Sequence, residues 1–194
     1  MNMSAQLCLW QGGKMDIKIE YGKLIVDGVV QSIYPPLDRG YWKEMVPDFE
    51  PKNVLMLGVG AGTTAKLLKD RFPGVIIYGV DNNLEIYKKI KLENVDFMMW
   101  ADAFHVISGQ HPHLFETTQF DHFETTQFDL IIIDIWNGGW WNAKVIQKEF
   151  LDQCKKLLTP KGKVYINVPN IEDMVAVVGL KQKAKVEGNA IYET

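Results

Sequence analysis

The hydrophobic pattern changes character once, close to residue 50. Before that point apolar positions alternate with polar ones: Ile17 and Ile19 within 15–20, then the run over 23–26, then Val29 to Tyr34. Half-covered strands read this way, and Asp27-Gly28 between two such runs is a strong hairpin signal, with Tyr21-Gly22 turning the chain before it. Residues 15–34 are therefore expected as a small antiparallel sheet. Pro35-Pro36 ends it, and 39–46 reads as a short helix before Pro47.

After residue 50 the apolar positions form continuous runs separated by stretches that read as helix. The pattern predicts strand 53–58, helix 63–71, a turn at Phe72-Pro73-Gly74, strand 75–80, helix 83–91, strand 95–99 and helix 102–108. After a polar loop it predicts strand 128–135, helix 142–158, a turn at Pro160-Lys161-Gly162, strand 163–168 and helix 171–181. Leu130 to Ile133 is apolar throughout, as in parallel strands covered on both faces. The alternation predicts an α/β fold, a doubly wound, mostly parallel, Rossmann-like sheet over 49–194, with the hairpin region and its linker helix, 1–48, as an appendage. The tail 184–194 is read as one edge strand at most, too short to complete a larger sheet.

The chemistry concentrates at Asn53 to Gly62. An apolar run, Val54 to Leu57, enters Gly58-Val-Gly60-Ala-Gly62, and Thr63 opens a helix. In a strand, glycine turn and helix start, free backbone N–H groups and the helix dipole are expected to favour a nucleotide-like ligand close to the chain. The second strand ends in Asp81, a carboxylate suited to ribose hydroxyls. A dinucleotide fingerprint requires G-x-G-x-x-G/A, whereas the glycines here fall as G-x-G-x-G. This spacing favours S-adenosylmethionine or a relative over NAD.

Composition narrows the picture further. A chain of 194 residues, 47% hydrophobic, supports one domain with a real core. Its formal charge of -3 carries no basic footprint for nucleic acid. No apolar stretch approaches a membrane span and the N-terminus lacks a signal-peptide pattern, so a soluble cytoplasmic protein is expected. Cys8 and Cys154 lie far apart, and Cys154 reads as a buried free thiol. His111, His113 and His122 share a polar loop with Asp121, but their spacing matches no metal motif and no metal is expected.

Phe115 to Asp121 and Phe123 to Asp129 are identical seven-residue segments separated by His122. Two adjacent copies are an in-frame duplication, not a solenoid. Only the second leads into strand 128–135, so the first is expected as tolerated loop.

Three further positions are candidates. Asp102, followed by Ala103, stands after the third strand, where it can accept from an adenine amino group, cap helix 102–108, or do both. Asp134, at the end of the fourth strand, faces the expected position of a transferring group and could take a proton from a nucleophile or hold a cationic one; the alternative is a helix cap or a lysine partner. The segment that follows, Ile135-Trp136-Asn137-Gly138-Gly139-Trp140-Trp141, suits a lid. Tyr41 and Trp42 could close the pocket or pack the hairpin onto the domain.

Taken together, these segments resemble the spermidine synthase family, the aminopropyltransferase branch of the class I methyltransferase fold, over about residues 20 to 170. Leu24-Ile-Val-Asp-Gly-Val-Val-Gln31 resembles that family's hairpin signature, with Tyr41 and Glu44 near its following Tyr and Glu, and Gly58 to Gly62 resembles its glycine motif. Asp134 matches the first acid of its catalytic segment, and the stretch through Lys148-Glu-Phe150 is similar to divergent bacterial spermidine synthase-like proteins. The resemblance implies an S-adenosylmethionine or decarboxylated S-adenosylmethionine site at Gly58, Gly60, Gly62, Asp81, Asn82, Asp102, Ala103 and Asp134. It implies acceptor contacts at Gln31, Tyr41, Trp136 and Asn137, and a homodimer through the N-terminal sheet. Two departures bear on the reaction: Ala61 and Asn137 stand where the family carries aspartates that hold the aminopropyl group and the diamine. The expectation is a transferase with an intact donor site and a diverged small-molecule acceptor, with methyl transfer ahead of aminopropyl transfer. A catalytically inactive adenosyl-binding or assembly module is the third alternative, its hairpin edge pairing with another subunit.

Overall fold

The computed structural model describes residues 16–33, 40–109, 123–137, 140–169, 180–186 and 188–194. Strands β1 (Ile17–Glu20), β2 (Lys23–Val26) and β3 (Val29–Ile33) form the expected antiparallel sheet. Asp27 and Gly28 both have positive φ, 50° and 80°, the backbone that a two-residue hairpin turn requires. The segment before Pro47 is a 3-10 turn, Tyr41–Met45.

The rest of the chain builds a seven-stranded sheet from β4 (Asn53–Leu57), β5 (Ile76–Asp81), β6 (Phe97–Trp100), β7 (Phe128–Ile133), β10 (Leu158–Pro169), β11 (Lys181–Val186) and β12 (Asn189–Glu193). Their spatial order is β11-β12-β10-β7-β4-β5-β6, with only β12 running antiparallel to its neighbours. A seven-strand, mostly parallel sheet with an N-terminal three-strand antiparallel sheet matches the expected fold class. Helices α1 (Thr63–Arg71), α2 (Leu84–Tyr87), α3 (Ala103–Ile107) and α4 (Lys148–Lys156) connect the strands.

Alternation along the central strands divides the core in two. Leu55, Leu57, Ile131, Ile133, Val164 and Ile166 pack on one face with Val106, Phe150, Leu151 and Cys154 from α3 and α4. Val54, Met56, Leu130, Ile132 and Tyr165 pack on the other with Ala65 and Leu68 from α1 and Met45 from the 3-10 turn. Both faces are covered, which is why these strands read as uninterrupted apolar runs. Cys154 is buried and free, its thiol pushed up to about 12 by burial, while Cys8 lies outside the described residues.

Several expected elements are corrected. The helix expected at 83–91 is the single turn α2, capped by the Asn83 side chain, which accepts from the Ile86 amide at 3.3 Å. The helix expected at 142–158 is broken: a 3-10 turn, Ala143–Ile146, precedes α4, and Gln147 between them is extended, with ψ 140°. That break lets Val145 and Ile146 as well as Phe150 and Leu151 reach the core. The Pro160-Lys161-Gly162 turn is absorbed into β10 as a register shift against β7 between Leu158 and Lys163. Lys181, expected at a helix end, begins β11; the remainder of that expected helix, 171–179, lies outside the described residues. The tail is not one edge strand but a hairpin, β11 and β12, and it completes the seven-stranded sheet. Ala190, Ile191 and Tyr192 are buried, so the segment is held by core packing as well as by its ladder.

Candidate functional site

Strand β4 is flanked by β5 on one side and β7 on the other, so the chain leaves β4 in one direction and later returns to its opposite edge. Open α/β sheets bind ligands in the crevice beyond the strand ends at this switch point. The glycine loop follows β4 and Asp134 follows β7, and the two touch. Gly58 has φ 85°, and a Cβ there would fall 2.2 Å from the Asp134 carbonyl oxygen. Its glycine is thus required by backbone conformation and by close approach together. Gly60 and Gly62 also have positive φ, 54° and 78°, and pack against Ser32 and Leu92.

The loop amides depart from expectation. All five are satisfied within the protein: Gly58 donates to the Val80 carbonyl at 2.8 Å, Val59 and Gly60 to Asp81 Oδ2 at 2.9 and 3.1 Å, Ala61 to Ser32 Oγ at 2.8 Å, and Gly62 to the Val59 carbonyl at 2.9 Å. The loop therefore offers a ligand a close backbone surface, not a set of free donors. Ser32 and the Thr63 hydroxyl, which donates to the Ile33 carbonyl at 3.1 Å, fasten the hairpin to this loop. Ile17, Leu24 and Val26 pack with Ala61, Ile86 and Ile90 to close the joint.

Asp81 accepts on both oxygens, with the Asn83 amide on Oδ1 at 2.9 Å. A carboxylate has about four lone-pair sites, so capacity remains for hydroxyl donors. Asn82 beside it is exposed. Asp102 caps α3, its Oδ1 accepting from the Phe104 and His105 amides at 2.8 and 3.3 Å, and Ala103 is buried behind it. The capping alternative holds, and it leaves Oδ2 outside those two bonds.

Asp134, unlike Asp81, is held by side-chain donors. Tyr41 Oη donates to its Oδ2 at 2.9 Å, while Trp136 Nε1 and Asn167 Nδ2 donate to Oδ1 at 3.0 and 2.8 Å. Burial pushes its carboxyl above the ordinary carboxylate value; the three donors oppose that shift, and the nearby charge of Asp81 adds to it. Burial, with the Asp134 charge, holds the Tyr41 phenol well above its ordinary value, so Tyr41 is a donor here. Tyr41 also packs on Trp42 with ring centroids 4.5 Å apart and against the α1 face of the core, which joins the two roles considered for it.

Trp136 and Asn137 form β8 and Trp140 and Trp141 form β9, a two-stranded ladder following Asp134. Gly138 and Gly139 between them lie outside the described residues, as do His111, His113, His122 and the first duplicated segment. Gln31 is half-buried on β3, beside Ser32. Sequence reasoning missed Ser32 and Asn167. A lone Asn inside the apolar run Val164 to Val168 is the signal that could have found the latter, since a fully buried amide needs partners.

Asp81, Asp102 and Asp134 stand at the strand ends, and the amides of Gly58 to Gly62 are spent internally. A nucleoside bearing hydroxyls, an amino group and a positive charge finds acceptors instead. S-adenosylmethionine has this character.

No family model matches the chain. A polyamine aminopropyltransferase from Chromobacterium violaceum is 23% identical over 115 residues, 58% of this chain, and the match spans 41% of that protein's length. Among solved structures, a probable spermidine synthase from Corynebacterium glutamicum superimposes with a TM-score of 0.65 over 92% of this chain and 75% of its own, at 17% identity. A spermidine synthase in complex with the transition-state analogue AdoDATO gives 0.61 over 92% and 67%, at 14% identity. Human methyltransferase-like protein 13 in complex with SAH gives 0.57 over 78% and 77%, at 16% identity. The chain therefore has a spermidine synthase-like fold, with distant similarity to a polyamine aminopropyltransferase.

Proposed function

We propose that the chain is an S-adenosylmethionine-dependent transferase that passes a methyl group to a small-molecule acceptor, with Asp134 taking the acceptor's proton. The observation that carries this reading is the meeting of the glycine loop, Asp81 and Asp134 at the switch point, where a Cβ on Gly58 would fall 2.2 Å from the Asp134 carbonyl oxygen. Gly58, Gly60 and Gly62 line the donor's side of the crevice, Asp81 and Asn82 hold its ribose, and Asp102 with Ala103 borders its adenine. When bound, the donor supplies an electrophilic carbon on a sulfonium centre. Asp134, half-buried and with its carboxyl raised above the ordinary carboxylate value, suits general-base work on a nucleophile at that carbon. Tyr41 orients that carboxylate, and Gln31, Trp136 and Asn137 border the acceptor.

Aminopropyl transfer from decarboxylated S-adenosylmethionine is the second reading, favoured by the similarity to a polyamine aminopropyltransferase. Against it stand Ala61 and Asn137, which supply no carboxylate for a cationic aminopropyl chain.

Calorimetric titration of the protein with S-adenosylmethionine, its decarboxylated form and methylthioadenosine separates these readings. Methyl transfer expects the intact donor to bind at least about tenfold more tightly than the decarboxylated one, a difference of about 1.4 kcal/mol. The reverse preference replaces it with aminopropyl transfer. Silence with all three sinks both and leaves an assembly module.

A further inference from the structure

We infer that Asn167 is a positioning residue that fixes the orientation of the Asp134 carboxylate and leaves Oδ2 as the oxygen free to take a proton. This rests on the reading of Asp134 as the base. Asn167 lies on β10, between β7 and β12, and is fully buried among apolar neighbours. Its Nδ2 donates to Asp134 Oδ1 at 2.8 Å, the same oxygen that accepts from Trp136 at 3.0 Å, whereas Oδ2 accepts from Tyr41 alone among these contacts. Oδ1 is thus filled by two donors and Oδ2 keeps an open lone pair.

The orientation of the amide is itself constrained. Turned over, Asn167 would set its oxygen against the carboxylate. As placed, its own Oδ1 is buried with no hydrogen-bond partner among the described residues, a cost that an aliphatic residue at this position would avoid. The N–H toward Asp134 gives the buried amide a purpose. Of the three donors, Tyr41 stands on a 3-10 turn and Trp136 on a two-residue strand, whereas Asn167 is built into the sheet, its backbone paired with Ile191 of β12. Among the described residues, Tyr41 is the titratable group in contact with Asp134 and Asp81 is the charge that acts on it.

The test is an NMR titration of the full chain, without donor or acceptor, using protein labelled with carbon-13 at aspartate carboxyls and nitrogen-15 at side-chain amides. Asp134→Asn identifies the Asp134 signal. In the wild type, the Asn167 side-chain amide should move with the same midpoint as the Asp134 carboxyl carbon. Asn167→Leu should raise that midpoint by roughly one unit, and Asn167→Gln should restore at least part of the shift. An amide that ignores the Asp134 titration, or an unchanged midpoint in folded Asn167→Leu, overturns the assignment. Should the leucine variant not fold, the wild-type correlation still decides. Because no donor is present, failure here is distinct from failure of the donor-binding experiment.

Discussion

Asp134 is a carboxylate whose folded environment penalises its charge, and this has a direction that can be measured. Its pKa is raised from the ordinary value of 3.8 on folding, so between the two values the folded chain binds more protons than the unfolded one. By linkage its contribution to stability is fully favourable below the ordinary value, falls as pH rises through that window, and is flat above the raised value. The prediction is that Asp134→Asn shows a shallower loss of thermal midpoint than wild type as pH rises above about 4. Parallel pH profiles for the two proteins would contradict it. The variant should also lose transfer, because an amide cannot take the acceptor's proton.

The elements show how a short motif is supported by distant ones. The glycine loop is stabilised by Asp81 from β5 and by Ser32 from β3, so the hairpin is structural to the donor crevice and not only an ornament on it. The duplicated segment makes the opposite case. Its second copy is anchored at both ends: Phe123 and Phe128 are buried and their ring centroids lie 5.7 Å apart. Asp129, the last residue of that copy, accepts from the Lys52 and Asn53 amides at 2.8 and 3.1 Å and from Thr159 Oγ1 at 3.1 Å. Deleting 115–122 removes one repeat unit and leaves all of these contacts in place. That variant should fold cooperatively with a thermal midpoint within a few degrees of wild type, since shortening a loop changes closure entropy by well under about 1 kcal/mol. Loss of cooperative unfolding would show that the first copy carries structure.

For the whole molecule, the C-terminal hairpin is the least expected and the most consequential feature. Ile191 packs in one core cluster, Ala190 and Tyr192 in the other, and β12 pairs along β10, the strand that carries Asn167. Truncation after residue 180 strips an edge from that strand and opens both clusters. Each large buried side chain lost costs about 2–5 kcal/mol, a sum comparable to the whole stability of a domain. The truncated chain should therefore lack a cooperative transition by circular dichroism; a sharp transition near that of wild type would refute this.

Local chemistry written into the sequence was sufficient for the turns, the apolar runs and the acids at the strand ends. Asp27-Gly28 can adopt positive φ at both positions, Leu130 to Ile133 is apolar on both faces, and Gly58 to Gly62 precedes a helix, so these features were legible without coordinates. Helix lengths were not, because Gln147 breaks a pattern that periodicity alone continues, and Lys181 takes strand geometry only because β12 is there to pair with it. The site divides in the same way. Asp81, Asp102 and Asp134 are visible as carboxylates at the ends of strands. Two partners of Asp134, Tyr41 and Asn167, stand 93 and 33 residues from it in the chain, and Ser32 stands 29 from the Ala61 amide that it accepts from; each meets its partner only where the fold brings them together. Which loop amides are already spent, and which carboxylate oxygen remains open, depend on those long-range contacts, and a linear pattern carries no record of them.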